Sequence, residues 1–248
     1  MFRPENRLEV SLMKAATDPS HKPQFYRDLV DSDIFIIHKN AMPGSNGQIE
    51  LPKGYTLKIR RTTINGKPYL PIFSSLTRLQ CFVQEETTYL TLNALNFMEI
   101  TQGADLVLNP TSDYGKEFSK EEVAAIIDGS IWRPANQIEI QKPTPIRLGK
   151  PAIYPTDLAN ALSRLFATMK EVECAYLTHY FNPEDGEKSH TLIAIQATGN
   201  WNVISASVGM VIDEVPLPDP PVDVMPLPES GSIADYFHQR CEPFYEKQ

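Results

Sequence analysis

Residues 104–129 constrain the fold of this chain most, because they predict a strand, a loop and a helix in direct succession. The strand is the apolar run Ala104–Leu108. It should end at Asn109-Pro110, since proline cannot donate a hydrogen bond to a sheet ladder. A short buried strand that leads through a loop into a helix is typical of a mixed α+β domain.

The helix of this unit carries terminal signals at both ends. Ser119 is the expected N-cap, and Glu122, three residues later, completes a capping box. Phe118 can pack on Val123 as a hydrophobic staple, and Gly129 supplies the left-handed residue that ends the helix. Because these signals explain the residues without a ligand, we interpret the unit as scaffold.

The first half of the chain predicts an N-terminal α+β domain with a largely antiparallel sheet. Asn65-Gly66 lies between two β-rich runs, which is the strongest short-range hairpin signal. The spacing of apolar residues predicts helices over 6–16, 22–29, 75–84 and 89–99, a buried strand over 33–38 and a loop over 39–53.

The second half predicts a separate domain with the order strand, helix, strand, strand, helix, strand. This order is that of the ferredoxin-like βαββαβ fold. A polar linker precedes it, so we place the boundary near Pro143, with domains at 1–142 and 143–248. The predicted strands cover 145–148, 171–181, 189–198 and 222–225, the helices cover 156–169 and 201–215, and a terminal helix covers 232–238.

The hairpin of the second domain predicts a surface for a partner. If its loop centres on Asp185, then His179 opposes His190. One sheet face would then hold a bulky core set, namely Val172, Cys174, Tyr176, Ile193 and Ile195. The other face would be open and weakly apolar, and such faces often bind partners. We therefore expect a partner protein, or a second copy, to contact Leu177, His179, His190 and Leu192.

Composition excludes several classes of partner. The net charge of −8 repels phosphate backbones and anionic lipids at long range, so we expect no nucleic acid and no membrane surface. No apolar run approaches the roughly 20 residues that a membrane span needs. The N-terminal sequence lacks the apolar core of a signal peptide, which predicts a cytoplasmic protein.

Three cysteines without CxxC spacing argue against a disulfide framework and a structural zinc site. Cys81 and Cys174 are expected to be buried and inert. Cys241 follows Arg240 near the C-terminus and is the one candidate for a reactive, exposed thiol. A metal bound between the two hairpin histidines was weighed against two plain surface histidines, and the latter is favoured. The prediction is therefore no metal and no cofactor.

Several motifs, taken in order and spacing, resemble the SseB family, the bacterial "enhanced serine sensitivity" proteins. The N-terminal arm and the loop 39–53 do not match. The matching segments are Tyr69–Ser75, Leu106–Pro110, Gly115–Gly129, Gly149–Pro151, Tyr154-Pro155, Ala175–Leu177 and Pro243–Glu246.

The resemblance implies a two-domain protein, with an SseB N-terminal domain followed by an SseB C-terminal domain. The family is named for a serine-related phenotype and implies no reaction and no catalytic residues. We therefore expect a non-enzymatic, cytoplasmic binding or regulatory protein. The alternative is an accessory protein or enzyme in serine or sulfur metabolism, since a link to sulfurtransferases has been suggested for the family by association.

Overall fold

The computed structural model describes residues 2–38, 58–133, 146–182 and 188–248. The chain divides into two units, one of Met1–Thr17 with Gln24–Ile131 and one of Asp18–Pro23 with Trp132–Gln248. The predicted boundary at Pro143, the predicted loop 39–53 and most of the hairpin loop around Asp185 lie outside the described residues.

The N-terminal half contains both helices and strands, as predicted. Asn6 starts the first helix, since its Oδ1 accepts from the Glu9 amide at 2.9 Å. The elements are α1 (Arg7–Ala15), α2 (Lys22–Val30), β1 (Asp33–Ile37), β2 (Thr62–Ile64), β3 (Lys67–Ile72), α3 (Leu76–Val83), β4 (Tyr89–Asn93), α4 (Ala94–Ile100), β5 (Leu106–Leu108), β6 (Lys116–Phe118) and α5 (Lys120–Ile127).

The N-terminal sheet has the strand order β2-β3-β5-β6, and β1 pairs separately with β4. The Asn65-Gly66 turn joins β2 to β3, and both of its residues have positive φ, as the predicted hairpin requires. Most pairings are antiparallel, which confirms the prediction. The exception is β3 with β5, which run parallel because α3, β4 and α4 lie between them as a long crossover.

The helix predicted over 89–99 is wrong in its first half, where the chain forms β4 instead. Leu90 and Leu92 are two residues apart and fit a strand that pairs with β1. Asn93 then caps α4, because its Oδ1 accepts from the Leu95 amide at 3.0 Å. The helix was predicted because β4 runs directly into α4, and the apolar residues of the two elements together have the spacing of one helix.

The scaffold unit of residues 104–129 forms as expected. Ser119 Oγ accepts from the Glu122 amide at 3.1 Å, and Gly129 has φ +73° at the end of α5. The Glu122 carboxylate accepts from the Tyr26 hydroxyl at 2.6 Å and pairs with Lys116, so it links α5 to α2 and β6. The strand β6 was not predicted.

The C-terminal unit has the predicted order of its first six elements. Residues 18–23 also belong to it, and the Asp18 carboxylate accepts from Arg164 Nε at 2.6 Å. The elements are β7 (Arg147–Gly149), α6 (Thr156–Phe166), β8 (Val172–Phe181), β9 (His190–Ala197), α7 (Trp201–Ile212), β10 (Val222–Pro226), α8 (Ser232–Arg240) and β11 (Tyr245–Glu246).

The ferredoxin-like strand order is not confirmed. In a split βαβ arrangement another strand separates the two parallel strands of each unit. Here β10 lies directly beside β9 and runs parallel to it, in the order β10-β9-β8-β11. The strand β7 pairs with the far end of β8, and β11 adds the C-terminal residues to the same sheet. The coarser class, two-unit α+β, is confirmed.

The predicted register of the hairpin is wrong by one residue. His179 pairs with Thr191, and Tyr180 pairs with His190. An irregularity between Val172 and Cys174 also changes which side chains share a face. Because side chains alternate along a strand, such shifts move residues to the opposite face.

Both faces of the C-terminal sheet are covered. The helices α6 and α7 pack on the side that holds Val172, Ala175, Ile193 and Ile195. The terminal helix α8 packs on the other side, where Phe237 meets Tyr176, Leu192 and Ala194. None of the helices among the described residues has the length and apolar character of a membrane span.

Two glycines, one in each unit, differ in how closely other backbone atoms approach them. A Cβ on Gly115 would lie 2.7 Å from the backbone oxygen of Leu108 and 2.9 Å from that of Asn109, whereas a Cβ on Gly209 in α7 meets nothing within 4 Å. We expect Gly115→Ala to destabilise the protein by about 2 kcal/mol through overpacking. We expect Gly209→Ala to stabilise it by about 1 kcal/mol through helix propensity.

Urea denaturation of the two variants beside the parent protein measures both effects. Equal unfolding midpoints for Gly115→Ala and the parent protein would contradict the close approach of the backbone at Gly115.

Candidate functional site

A buried carboxylate organises the largest polar cluster of the N-terminal unit. Glu9 in α1 is fully buried. Its Oε1 accepts from Ser74 Oγ at 2.7 Å, Ser75 Oγ at 2.9 Å and Arg78 Nε at 3.2 Å. Its Oε2 accepts from Arg78 Nη2 at 3.0 Å and from the Glu5 amide at 2.9 Å. We call this set the Glu9 cluster, and its members are Asn6, Glu9, Ser74, Ser75, Arg78 and Asn109.

Local structure explains why these residues meet. Ser74 and Ser75 follow β3 after Phe73, and Asn109 directly follows β5. The ends of parallel neighbours lie at one edge of a sheet. Ser75 is also the N-cap of α3. Asn109 has φ +51°, and its side chain accepts from the Ser74 amide at 2.9 Å and donates to Ser74 Oγ at 2.7 Å.

The N-terminal arm completes the surroundings of Arg78. Arg78 Nη2 donates to the Arg3 carbonyl at 2.6 Å, and its guanidinium lies 3.8 Å from the centre of the Phe2 ring. The Phe2 ring in turn contacts the Tyr114 ring with centroids 5.0 Å apart. The guanidinium therefore has both a carboxylate partner and an aromatic face.

The electrostatics of the Glu9 cluster keep it ionised. Burial alone would raise the pKa of Glu9. The hydrogen bonds from Arg78, Ser74, the Glu5 amide and Ser75 together outweigh burial, so the pKa of Glu9 lies below its ordinary value. The carboxyl ends of parallel strands are where α/β sheets commonly bind ligands. In this chain the Glu9 side chain fills that position, which makes the cluster a structural anchor for α1.

The four residues predicted to contact a partner do not share an open face. Leu177, His190 and Leu192 are 8%, 3% and 5% exposed. Leu177 and His179 lie on the side of α6 and α7, whereas His190 and Leu192 lie on the side that α8 covers. The predicted open surface is therefore wrong. A partner role for these residues stays a prediction, and α8 would have to leave the sheet for a partner to reach two of them.

Each of the two histidines instead meets one carboxylate from the proline-rich segment around β10. His190 Nε2 lies 2.9 Å from Asp223 Oδ2, and His179 Nε2 lies 3.9 Å from Asp219 Oδ2. Among the described residues, no group of three His, Cys, Asp or Glu side chains could hold a metal ion. The His190–Asp223 contact therefore connects β9 to the β10 segment, whereas the distance at His179 is too long for a hydrogen bond.

All three cysteines differ from expectation, including Cys174, which was expected to be buried but is partly exposed. Cys241 is only partly exposed and packs against α8 and the sheet, so the expected exposed thiol is wrong. Burial raises the pKa of Cys241, and this outweighs the lowering effects of Tyr236 and Lys150. Burial also raises the pKa of Cys174. Cys81 is exposed, since it lies two residues after the inward-facing Leu79 of α3.

A polar concavity of about 500 Å³ lies beside the end of β1 in the N-terminal unit. In its wall, Arg60 Nη1 lies 3.2 Å from Glu85 Oε1, so these two opposite charges neutralise each other. The other described lining residues are Ile37, His38, Glu86, Thr87 and Thr88.

Among the described residues of the C-terminal unit, the most exposed large apolar side chains are adjacent. Ile153 is 64% exposed and Tyr154 is 47% exposed. They lie in the segment Lys150–Pro155 between β7 and α6, which we call the 150–155 loop. In the sequence, Tyr154 stood out only as part of the resemblance to the SseB family. The signal for an exposed surface is that Ile153 and Tyr154 are adjacent apolar residues between Pro151 and Pro155.

Comparison with known proteins gives matches in both halves. The family model for the SseB protein N-terminal domain matches residues 8–125, and the model for the SseB protein C-terminal domain matches residues 140–247. Protein SseB of Escherichia coli (strain K12) is 29% identical over 252 aligned positions, which cover 100% of this chain and 95% of that protein. Protein SseB of Shigella flexneri matches to the same extent. No solved structure matches the chain. Because both domain models match in the expected order, this chain belongs to the SseB family.

Proposed function

We propose that this chain is a non-enzymatic binding or regulatory protein of the bacterial cytoplasm that holds a partner protein through its C-terminal unit. The observation that carries the proposal is the 150–155 loop, with Ile153 and Tyr154 both large, apolar and exposed. Exposed apolar groups that lie together often mark interaction sites. Tyrosine in particular offers a large contact area at a low cost in side-chain entropy.

The backbone around the loop supports a preformed surface. At one end, Gly149 of β7 pairs with His179 of β8. At the other end, α6 begins at Thr156. Pro151 and Pro155 restrict the backbone in between. The loop would therefore lose little conformational entropy when a partner binds, because folding already restricts it.

The polar groups of the chain favour binding over catalysis. An enzyme should present convergent polar groups in an accessible pocket. The hydroxyl groups of Ser74 and Ser75 are buried and already bonded to Glu9. The raised pKa values of Cys174 and Cys241 leave less thiolate for sulfur transfer. The alternative role, in serine or sulfur metabolism, therefore has less support from these residues.

Affinity capture from a native lysate, followed by quantitative mass spectrometry, tests the proposal. Ile153→Asp is compared with Ile100→Asp, because Ile100 in α4 is also exposed, at 56%. We expect a set of proteins to be captured by the parent chain and by Ile100→Asp, and to be lost from Ile153→Asp. If no captured protein depends on Ile153, and a metabolite raises the melting temperature instead, the proposal is wrong.

A further inference from the structure

We infer that the 150–155 loop recognises an acidic segment of its partner, in which carboxylates flank an apolar side chain. The inference rests on the proposed function, since it specifies the chemistry of the partner at the same loop. It depends on two observations, namely the local charge and the position of Lys150.

Local charge around the loop is opposite to that of its surroundings. Residues 146–155 contain two cations, Arg147 and Lys150, and no carboxylate, whereas residues 141–248 hold 8 Lys and Arg against 14 Asp and Glu. Both cations are exposed. Neither forms an ion pair with any carboxylate in the described part of the chain. Within the described residues, no carboxylate therefore neutralises their charges.

One of the cations, Lys150, lies close to the apolar residues in sequence. It precedes Ile153 by only three residues in the same loop. The apolar pair therefore has positive charge on its Lys150 side, and a matching segment would carry negative charge there.

The two kinds of contact would contribute differently. Ile153 and Tyr154 would supply most of the affinity, since buried apolar and aromatic anchors dominate interfaces. Lys150 at the rim would mainly raise the association rate and select acidic partners over basic ones. A nucleic acid is also anionic, and the net charge of −8 opposes both kinds of partner at long range, so it does not decide between them. An acidic peptide, which carries apolar groups as well, fits the loop better.

Fluorescence anisotropy with the full chain tests this inference. The probe is a short labelled peptide of alternating Glu and Leu, and the matched probe has Lys in place of Glu. We expect the acidic peptide to bind and the basic peptide not to bind. Lys150→Glu should weaken binding of the acidic peptide by roughly tenfold through charge reversal. Lys170→Glu, at an exposed lysine elsewhere in the same unit, should leave the affinity unchanged.

Four outcomes would overturn the inference. Equal binding of both peptides would remove the role of charge. An unchanged affinity in Lys150→Glu would remove the role of the loop. Tighter binding of a single-stranded oligonucleotide, with loss in Lys150→Glu, would assign the cations to nucleic acid. If lysate proteins depend on Ile153 but not on Lys150, the proposed function stands and this inference fails.

Discussion

Replacing Glu9 by alanine is expected to destabilise the N-terminal unit by about 3–5 kcal/mol, because the change leaves the guanidinium of Arg78 without its carboxylate. Arg78 is only 11% exposed at its side chain, so water replaces the lost partner poorly. The hydroxyl groups of Ser74 and Ser75 lose the same acceptor. Urea denaturation followed by circular dichroism, with hydrogen exchange of the amides in α1 and β3, measures the loss.

An exposed ion pair provides the control. Glu121 in α5 is 72% exposed at its side chain and lies 3.8 Å from Lys120. We expect Glu121→Ala to cost less than about 0.5 kcal/mol, as surface pairs usually do. A double variant, Glu9→Leu with Arg78→Met, should cost less than the two single changes together, since it removes both charges. Additive costs in the double variant would show that the two charges are not coupled.

The pH dependence of stability gives a second measurement of the same interaction. The pKa of Glu9 is lowered in the folded state, so the unfolded state binds more protons as the pH falls. The contribution of Glu9 is therefore fully present above its unfolded-state pKa, which is about 4.3. It is lost as the pH falls through the lower folded value. Glu9→Gln should show a shallower loss of stability below about pH 5 than the parent chain. Parallel curves for the two proteins would contradict this account.

Replacing Phe237 by alanine is the second change with a large expected effect, at about 3–5 kcal/mol. Phe237 is fully buried between α8 and the sheet. Its ring lies 5.7 Å from the ring of Tyr176 and 5.6 Å from that of Tyr236. The truncation would leave a cavity under a helix of nine residues, which has few other fully buried side chains. We expect α8 to detach before the rest of the unit unfolds.

Hydrogen exchange and dye binding separate local detachment from global unfolding. In Phe237→Ala, the amides of α8 should exchange faster, while those of α6 and α7 stay protected. Binding of an apolar dye should rise as the face with Leu192 and Ala194 becomes exposed. Gln239→Ala, at an exposed position on the same helix, should change neither measurement. Equal loss of protection in α6 and α8 would show instead that the sheet and both its layers unfold together.

Capping and turn residues made the N-terminal elements predictable. Ser119 acts through a contact within four residues, and Asn65-Gly66 fixes its hairpin without distant neighbours. The apolar residues of 201–215 favoured a helix, which forms as α7 over Trp201–Ile212.

The register of β8 with β9 was not predictable in the same way, because it depends on where the loop between the two strands is centred, and a shift of one residue moves every facing side chain. The covering of the second sheet face by α8 depends on a contact about 40 to 60 residues away in sequence, for which local periodicity gives no signal.

The Glu9 cluster was missed for a related reason. Its hydrogen bonds join residues 65 to 69 positions apart, from three segments that are individually ordinary. One signal was present, because Glu9 lies beside Leu8 on a helix that also buries Leu12. A carboxylate among residues that face inward calls for a buried cation, since burial of an unpaired charge is costly.

The position of Glu9 also affects the order in which the chain can fold during synthesis. The helix α1 leaves the ribosome early, but Ser74, Ser75 and Arg78 follow only 65 to 69 residues later. Until they appear, the helix has a charge on the face that it must bury. The parallel strand β5 and Asn109 come later still. Fragments that end before Asn109 should therefore remain unfolded and accessible to chaperones and proteases. This unit should then fold in one step once Asn109 has been synthesised, and not gradually along the growing chain.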